Sequence, residues 1–404
     1  MEPKTSNPKF DAAGQATRAS APAWAVFLGC SWTWCVGMLL PVLLVRELGV
    51  IGWIVFAIPN VIGAAAMGWV LRDPDSSRRI VEAHGPACRA FSAVTIAFHV
   101  FFVLWFVPRL VGLPVAACAF AVVGVYLLLT LWAPRTDLSV GAIVLLASLL
   151  LFALFLKRTP VTIPTTGSHP TLEAAFLAPA CLLGFALCPY LDLTFHRARQ
   201  AFAEPTRSRV AFGLGFGVVF LSMIVFSLCY AAALSPLVGA DWQRHLRPAF
   251  GWIIGTHMIV QSAFTLAVHA RSLAASRIRP GGIFALLLLT QAAILAALAA
   301  PLLPRWLQLD PGELIYRLFM SFYGLLFPAY VWICMLPGRR GLTPASVRAL
   351  ILAVLLAAPF YSLGFIADRM IWLLPGVLAV LVARFLVPAQ QAASAAEAAP
   401  ARVV

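Results

Sequence analysis

Twelve apolar stretches, each long enough to span a bilayer, follow one another along the chain with only short polar segments between them. In hydrocarbon every backbone N–H and C=O must find its partner inside the protein, and a helix supplies that partner within the segment itself. The stretches run at 22–46, 50–72, 90–112, 114–133, 138–157, 172–196, 210–235, 248–270, 281–303, 312–336, 346–366 and 370–388. Each fits the roughly 17–25 residues that a spanning helix needs. The expected fold class is all-α and integral to a membrane, with 12 transmembrane helices.

Composition agrees: the 404 residues are 62% hydrophobic and only 11% charged, against about 25% charged in a soluble domain. The net charge of +14 would suit nucleic acid if it were clustered, but it follows the loops instead. With the N-terminus inside, 20 of the 29 Lys and Arg residues fall on inner segments and 9 on outer ones. That is a positive-inside bias. It places both termini in the cytoplasm and the protein in the cell (inner) membrane, with the lipid bilayer rather than nucleic acid as partner. Residues 1–21 and 389–404 read as disordered cytoplasmic tails, and no cleavable signal pattern precedes the first span. The eight cysteines show no CxxC and no metal-ligand spacing, so neither a disulfide framework nor a zinc site is expected. The oligomeric state is not legible.

Two spans are interrupted. The first carries Gly37-Met38-Leu39-Leu40-Pro41 and the sixth Gly184-Phe185-Ala186-Leu187-Cys188-Pro189. A broken helix exposes unpaired carbonyls and amides, tolerated only where they are buried in protein or line a cavity. One such break reads as a proline kink; two at corresponding places in two halves point to a transporter's substrate site. The longest outer loop, 158–171, separates the halves 22–157 and 172–337, and residues 338–388 add two helices. Because five spans is an odd number, the second half enters the membrane upside down relative to the first. That makes an inverted-topology repeat if the halves are related in structure.

The polar residues inside the spans carry the rest of the argument. Span one approaches its break through Trp32 and Trp34, and span six continues past its break as Pro189-Tyr190-Leu191-Asp192 with His196 four residues on. A carboxylate at a span's centre costs about 2.5–3.5 kcal/mol on insertion scales. Asp192 is therefore either a ligand or proton acceptor, or an inner-end ion-pair partner of Arg197 or Arg199. In span eight, His257, Gln261, Thr265 and His269 recur every four residues along one side of the helix. They line a cavity or bond neighbouring helices. Lesser candidates are Asn60, His99, Gln291, Tyr316, Ser321 and Tyr323, together with an outer-end salt bridge between Glu313 and Arg317.

Twelve spans, both termini inside and breaks in spans one and six resemble the five-plus-five inverted-repeat fold of the leucine-transporter type. The amino acid–polyamine–organocation superfamily shares that fold, and its sodium/solute symporter branch is the nearest in character. The resemblance covers about residues 22–337 and rests on architecture rather than on a diagnostic motif. It implies a substrate held at the breaks, here by Trp32, Trp34, Gly37, Pro41, Gly184, Cys188, Pro189, Tyr190, Asp192, His257 and Gln261. It also implies a coupling sodium between span-one carbonyls near Gly37 and hydroxyls of span eight. Span eight lacks an adjacent Ser/Thr pair and offers Ser262 and Thr265, three apart. Sodium and proton coupling both stay open.

The expected function is cation-coupled secondary transport of a small solute, without cofactor or resident metal and without enzymatic activity. The runner-up is a polytopic membrane enzyme of the acyl- or glycosyltransferase kind, or a transporter-like sensor. No Walker A loop, HExxH or GxSxG appears.

Overall fold

The computed structural model describes residues 20–132, 137–239, 241–244, 248–276, 279–304, 309–336 and 342–387. The tails expected over 1–21 and 389–404 lie outside these residues, except that Ser20 and Ala21 begin the first helix. The Ser20 hydroxyl accepts from the Ala23 amide and caps α1, Ala21–Trp32. The chain leaves the helix at Thr33 and Trp34, then re-enters it as α2, Cys35–Leu48, bent by 57° from α1. Gly49 turns with φ +70° into α3, Val50–Val70.

Asp73 caps α4, Pro74–Val111, with its carboxylate accepting from the Ser76 amide at 2.7 Å. Hydrogen bonds from Ser76 hold the Asp73 carboxyl below the ordinary carboxylate range. This helix begins well before the expected start at residue 90, because the cap and Pro74 initiate it outside the apolar stretch; it kinks at His84. Next come α5, Val115–Trp132, and α6, Asp137–Arg158.

After the long loop, α7, Glu173–Leu187, passes through a 3₁₀ turn, Cys188–Leu191, to α8, Leu193–Gln200. Then α9, Pro205–Leu214, and α10, Leu221–Val238, form one rod joined by a π-helical turn, Gly215–Phe220. Beyond it lie α11, Gly251–Ala275, and α12, Pro280–Ala299. α13, Pro311–Ser321, and α14, Phe327–Tyr330, share another π-turned rod that ends at Met335. α15, Pro344–Tyr361, and α16, Leu373–Ala383, pack on each other.

Among the described residues, nine helices are long and apolar enough to cross a membrane, and the bent pair α1–α2 makes a tenth. The stretch expected at 114–133 forms α5, Val115–Trp132, and that expected at 370–388 a shorter apolar helix, Met370–Leu386. The protein is a multi-pass, all-helical membrane protein. Among the nine unbroken spans α4 and α11 are the most enclosed and α12 the least. The broken elements lie inside: α2 packs along α10, α7 along α3, and α8 against α4, α11 and α1.

The outer loop is more than a linker. The Val50 amide donates to Pro164 O, and the Ser168 and His169 amides donate to Arg46 O and Glu47 O. Gly167 sits so close that a Cβ would lie 2.2 Å from the Glu47 carbonyl carbon. Only glycine fits there, and the loop seals the turn between α2 and α3.

Candidate functional site

The first break falls at Thr33–Trp34, not at Gly37–Pro41 as the sequence suggests. Pro41 stays inside α2, and neighbouring helices feed donors into that turn: Tyr230 Oη bonds Met38 O at 2.7 Å and Tyr316 Oη bonds Cys35 O at 3.2 Å. The carbonyl that Pro41 leaves without an amide donor is Gly37 O, four residues back. Around the unwound residues, whose own amides donate to Cys30 O and Trp32 O, side chains add further bonds. Thr33 Oγ1 bonds Gly29 O at 2.8 Å, and the Trp34 indole N–H bonds Ser31 O at 2.5 Å. The Cys35 amide donates to His99 Nε2 at 3.2 Å, while His99 Nδ1 donates to Thr95 O.

The second break is the 3₁₀ turn at Cys188–Leu191 with Asp192 extended after it. Cys188 and Pro189 belong to it; Gly184 lies a turn earlier, inside α7. Gly184 serves close packing, since a Cβ there would sit 2.9 Å from Tyr323 O. Asp192 is fully buried and caps α8, its Oδ1 accepting from the Thr194 amide at 2.7 Å. Its Oδ2 has no hydrogen-bond partner among the described residues. The ion pair with Arg197 or Arg199 is not formed: Arg197 pairs with Asp137, and Arg199 donates to the carbonyls of Leu71, Arg72 and Phe202. His196 also leaves Asp192 alone and bridges Ser77 Oγ and Tyr190 O, both at 2.9 Å.

The two breaks face each other. Ser31 Oγ and Thr194 Oγ1 are 3.4 Å apart, and the Trp32 and Phe195 rings meet edge to face at 4.9 Å. Trp32 and Trp34 pack at 4.3 Å, and Trp34 continues to Phe91, Tyr323 and His269. Trp32, Trp34, Gly37 and Cys188 border a cavity with about 20 Å³ open to a water centre. One water needs about 10–15 Å³ by that measure, so the walls must move to admit anything larger. Gly184 lines an adjoining apolar cavity of about 40 Å³ that reaches Leu44, Cys181 and Leu373. Pro41, Pro189, Tyr190, Asp192, His257 and Gln261 border neither cavity.

Sequence reasoning ranked two wall residues too low. Asn60 accepts from the Trp32 indole at 2.7 Å, and Tyr323 bonds Thr95 at 3.0 Å. An amide beside Pro59 in an apolar helix was the available signal. Val36 and Phe185 also line the cavity and carried none.

The α11 stripe is buried as expected, and its first two members, His257 and Gln261, face α6. His257 Nδ1 and Gln261 Nε2 share Ser148 Oγ at 3.1 and 3.0 Å. His269 Nδ1 meets Ser92 Oγ at 3.1 Å. Ser262 Oγ and Thr265 Oγ1 are buried with no partner among the described residues. Gly37 lies within α2 rather than in unwound backbone, and Pro41, four residues on, has no amide to donate to its carbonyl. Gln291 is exposed on α12.

Ion pairs tie both ends. At the Arg46 end, Glu313 accepts from Arg46 at 3.0 and 2.6 Å and from Arg317 at 3.0 and 2.8 Å, and Glu47 pairs with both arginines. Nearby, Arg109 of α4 pairs with Asp310 at 3.1 Å, its guanidinium set over the Trp105 and Trp242 rings. At the other end, Asp137 of α6 receives Arg197 and Arg271, and Arg197 lies over Trp24 and Phe27 of α1. A central cavity thus sits between two closed ends.

Facing breaks in two central helices, enclosed by a bundle of this order, define a membrane protein of the leucine-transporter-type fold. Among solved structures the chain is similar to a substrate-bound, outward-open Na+-coupled sialic acid symporter, with a TM-score of 0.51 over 92% of this chain and 90% of that one. Identity is 12%, so the likeness is one of fold. No protein-family model matches the sequence, and no match is found among curated proteins.

Proposed function

We propose that this protein is a cation-coupled secondary transporter that carries a small solute by alternating access through the α1–α2 and α7–α8 breaks. The observation that carries this reading is the direct meeting of the breaks, Ser31 against Thr194 and Trp32 against Phe195, between two ends each shut by ion pairs. Opening one ion-pair cluster while the other holds exposes the centre to one side at a time. The solved neighbour of this fold is a Na+-coupled symporter, which supports transport over membrane-bound catalysis. So does the scatter of the buried histidines into separate hydrogen-bonded pairs: among the described residues no group of three His, Cys, Asp or Glu is arranged to hold a metal ion.

The cavity walls are tryptophan, tyrosine, asparagine and aliphatic groups without a cationic side chain. They favour a small, uncharged or weakly polar solute over an anion such as the neighbour's sialic acid. Among the buried oxygens without a partner in the described residues, Ser262 Oγ and Thr265 Oγ1 suit sodium and Asp192 Oδ2 suits a proton.

The test is the melting temperature of the purified protein as sodium replaces choline at constant ionic strength. A ligand at about 100 times its dissociation constant stabilises the folded state by about 2.7 kcal/mol. A saturable, sodium-specific rise that Ser262→Ala or Thr265→Val abolishes supports sodium coupling. A flat response removes it and leaves Asp192 as the coupling group.

A further inference from the structure

A cavity larger than those at the breaks lies elsewhere in the bundle. It lies between the N-terminal half of α4 and the start of α12, with Leu273 of α11 as its floor and about 560 Å³ open to a water centre. Its mouth holds two guanidinium groups, Arg89 of α4 and Arg279, the N-cap residue of α12. Neither forms an ion pair among the described residues, although most arginines deeper in the bundle do. The positive end of the α12 dipole adds to the same field.

Below the arginines the walls turn apolar. Ala90 and Ala93 on one side and Leu286 and Leu289 on the other leave a slot. Leu289 is ten residues beyond Arg279, so the slot extends about 15 Å along α12 at 1.5 Å per residue. The slot opens toward hydrocarbon: α12 is the least enclosed of the nine unbroken spans, and Phe284 and Leu287 beside the slot are 63% and 62% exposed. A charged mouth over a one-sided apolar slot fits one kind of molecule.

The geometry points to a binding site for an anionic phospholipid, its phosphodiester headgroup between Arg89 and Arg279 and an acyl chain along the Ala93–Leu289 slot. Charge complementarity selects the headgroup. Basic clefts between helices are the usual form of anionic-lipid recognition, and the slot selects a lipid over a free anion. The site is separate from the central cavity and does not depend on the transport reading.

Native mass spectrometry of the full chain in detergent tests this, with phosphatidylglycerol and phosphatidylcholine of identical acyl chains as probes. The expected result is saturable retention of one phosphatidylglycerol and no comparable retention of phosphatidylcholine. R89Q/R279Q weakens that binding by about thirtyfold, the effect of removing two basic contacts with anionic lipid, while R89K/R279K retains most of it. Ala93→Phe, which fills the slot, also loses the lipid. Melting temperature in phosphatidylcholine nanodiscs checks that each variant folds. Equal retention of the two lipids, or wild-type affinity in R89Q/R279Q, overturns the proposal. So does competition by chain-free glycerophosphoglycerol at equal strength, which identifies a plain anion site. A lipid-independent dimer that Ala93→Phe disrupts assigns the groove to contact between copies and overturns it as well.

Discussion

Replacing Glu313 with Gln distinguishes a lock from a brace at the Arg46 end. The Glu313 side chain is 1% exposed and is held by Arg46 at 2.6 Å and by Arg317 at 2.8 Å. Removing one partner of a buried ion pair costs about 3–5 kcal/mol, because the other charge is left uncompensated. Arg317 would keep Glu47 and the Phe365 carbonyl, which puts the cost near the low end, about 3 kcal/mol. The two halves of that cost act differently. Arg317 sits on the same helix as Glu313, four residues on, so their pair survives when α13 moves away from α2. The Arg46 pair crosses from α2 to α13 and must break on opening.

About half the cost, ~1.5 kcal/mol, therefore falls on the closed state alone, and at about 1.4 kcal/mol per factor of ten the open population rises roughly tenfold. Cys181 reads this directly: it is buried and borders the apolar cavity behind the cluster. Reconstituted protein is labelled with a membrane-impermeant maleimide, and modification is located by mass spectrometry. Glu313→Gln should label Cys181 about tenfold faster, with Cys334 unchanged. A lower melting temperature with an unchanged Cys181 rate would refute the lock, leaving the cluster as structural glue.

Asp192→Asn keeps an equally good cap for α8, so stability should change by less than about 0.5 kcal/mol. Accumulation of solute in proteoliposomes under a pH gradient should nevertheless disappear; full accumulation would exclude Asp192 Oδ2 from coupling. Gly63→Ala places a Cβ 2.4 Å from Phe185 O, a backbone atom that cannot step aside. Overpacking of about 1–3 kcal/mol should lower the melting temperature by several degrees, and an unchanged value would show that α3 and α7 separate freely. Asp73 titrates outside the spans. Its depressed carboxyl stabilises the start of α4 above the unfolded pKa, and that contribution is lost as pH falls through the lower folded value. Protection of the Ser76 amide from hydrogen exchange, relative to its intrinsic rate at each pH, should therefore fall only on the acid side, and in Asp73→Ala it should be low at all pH values.

Much of the architecture could be read directly. Apolar length set the helices, because hydrocarbon leaves the backbone no other partner. Glu313 and Arg317, four apart, form the expected ion pair. Trp32, Trp34, Gly37 and Cys188 do gather at one cavity. The break in span one was misplaced by a turn, since Gly and Pro mark only where a helix is easily opened. Whether it opens depends on donors from elsewhere in the chain. At Pro41 the helix stays wound, with Tyr230 and Tyr316 donating to Met38 O and Cys35 O, while His99 takes the Cys35 amide where the chain unwinds at Thr33–Trp34.

The same division runs through the charged groups. Local sequence makes Asp192 a helix cap, because a carboxylate two residues before an amide reaches it unaided. That Asp192 is left without an arginine, with Arg197 drawn to Asp137 sixty residues away, follows from how α6, α8 and α11 converge. Composition and periodicity determine which segments enter the membrane and which face each buries, since those depend on residues a few positions apart. Which buried polar atoms find partners, and which remain free for a cation or a solute, depends on side chains brought together across long stretches of chain. Only the packed bundle determines that.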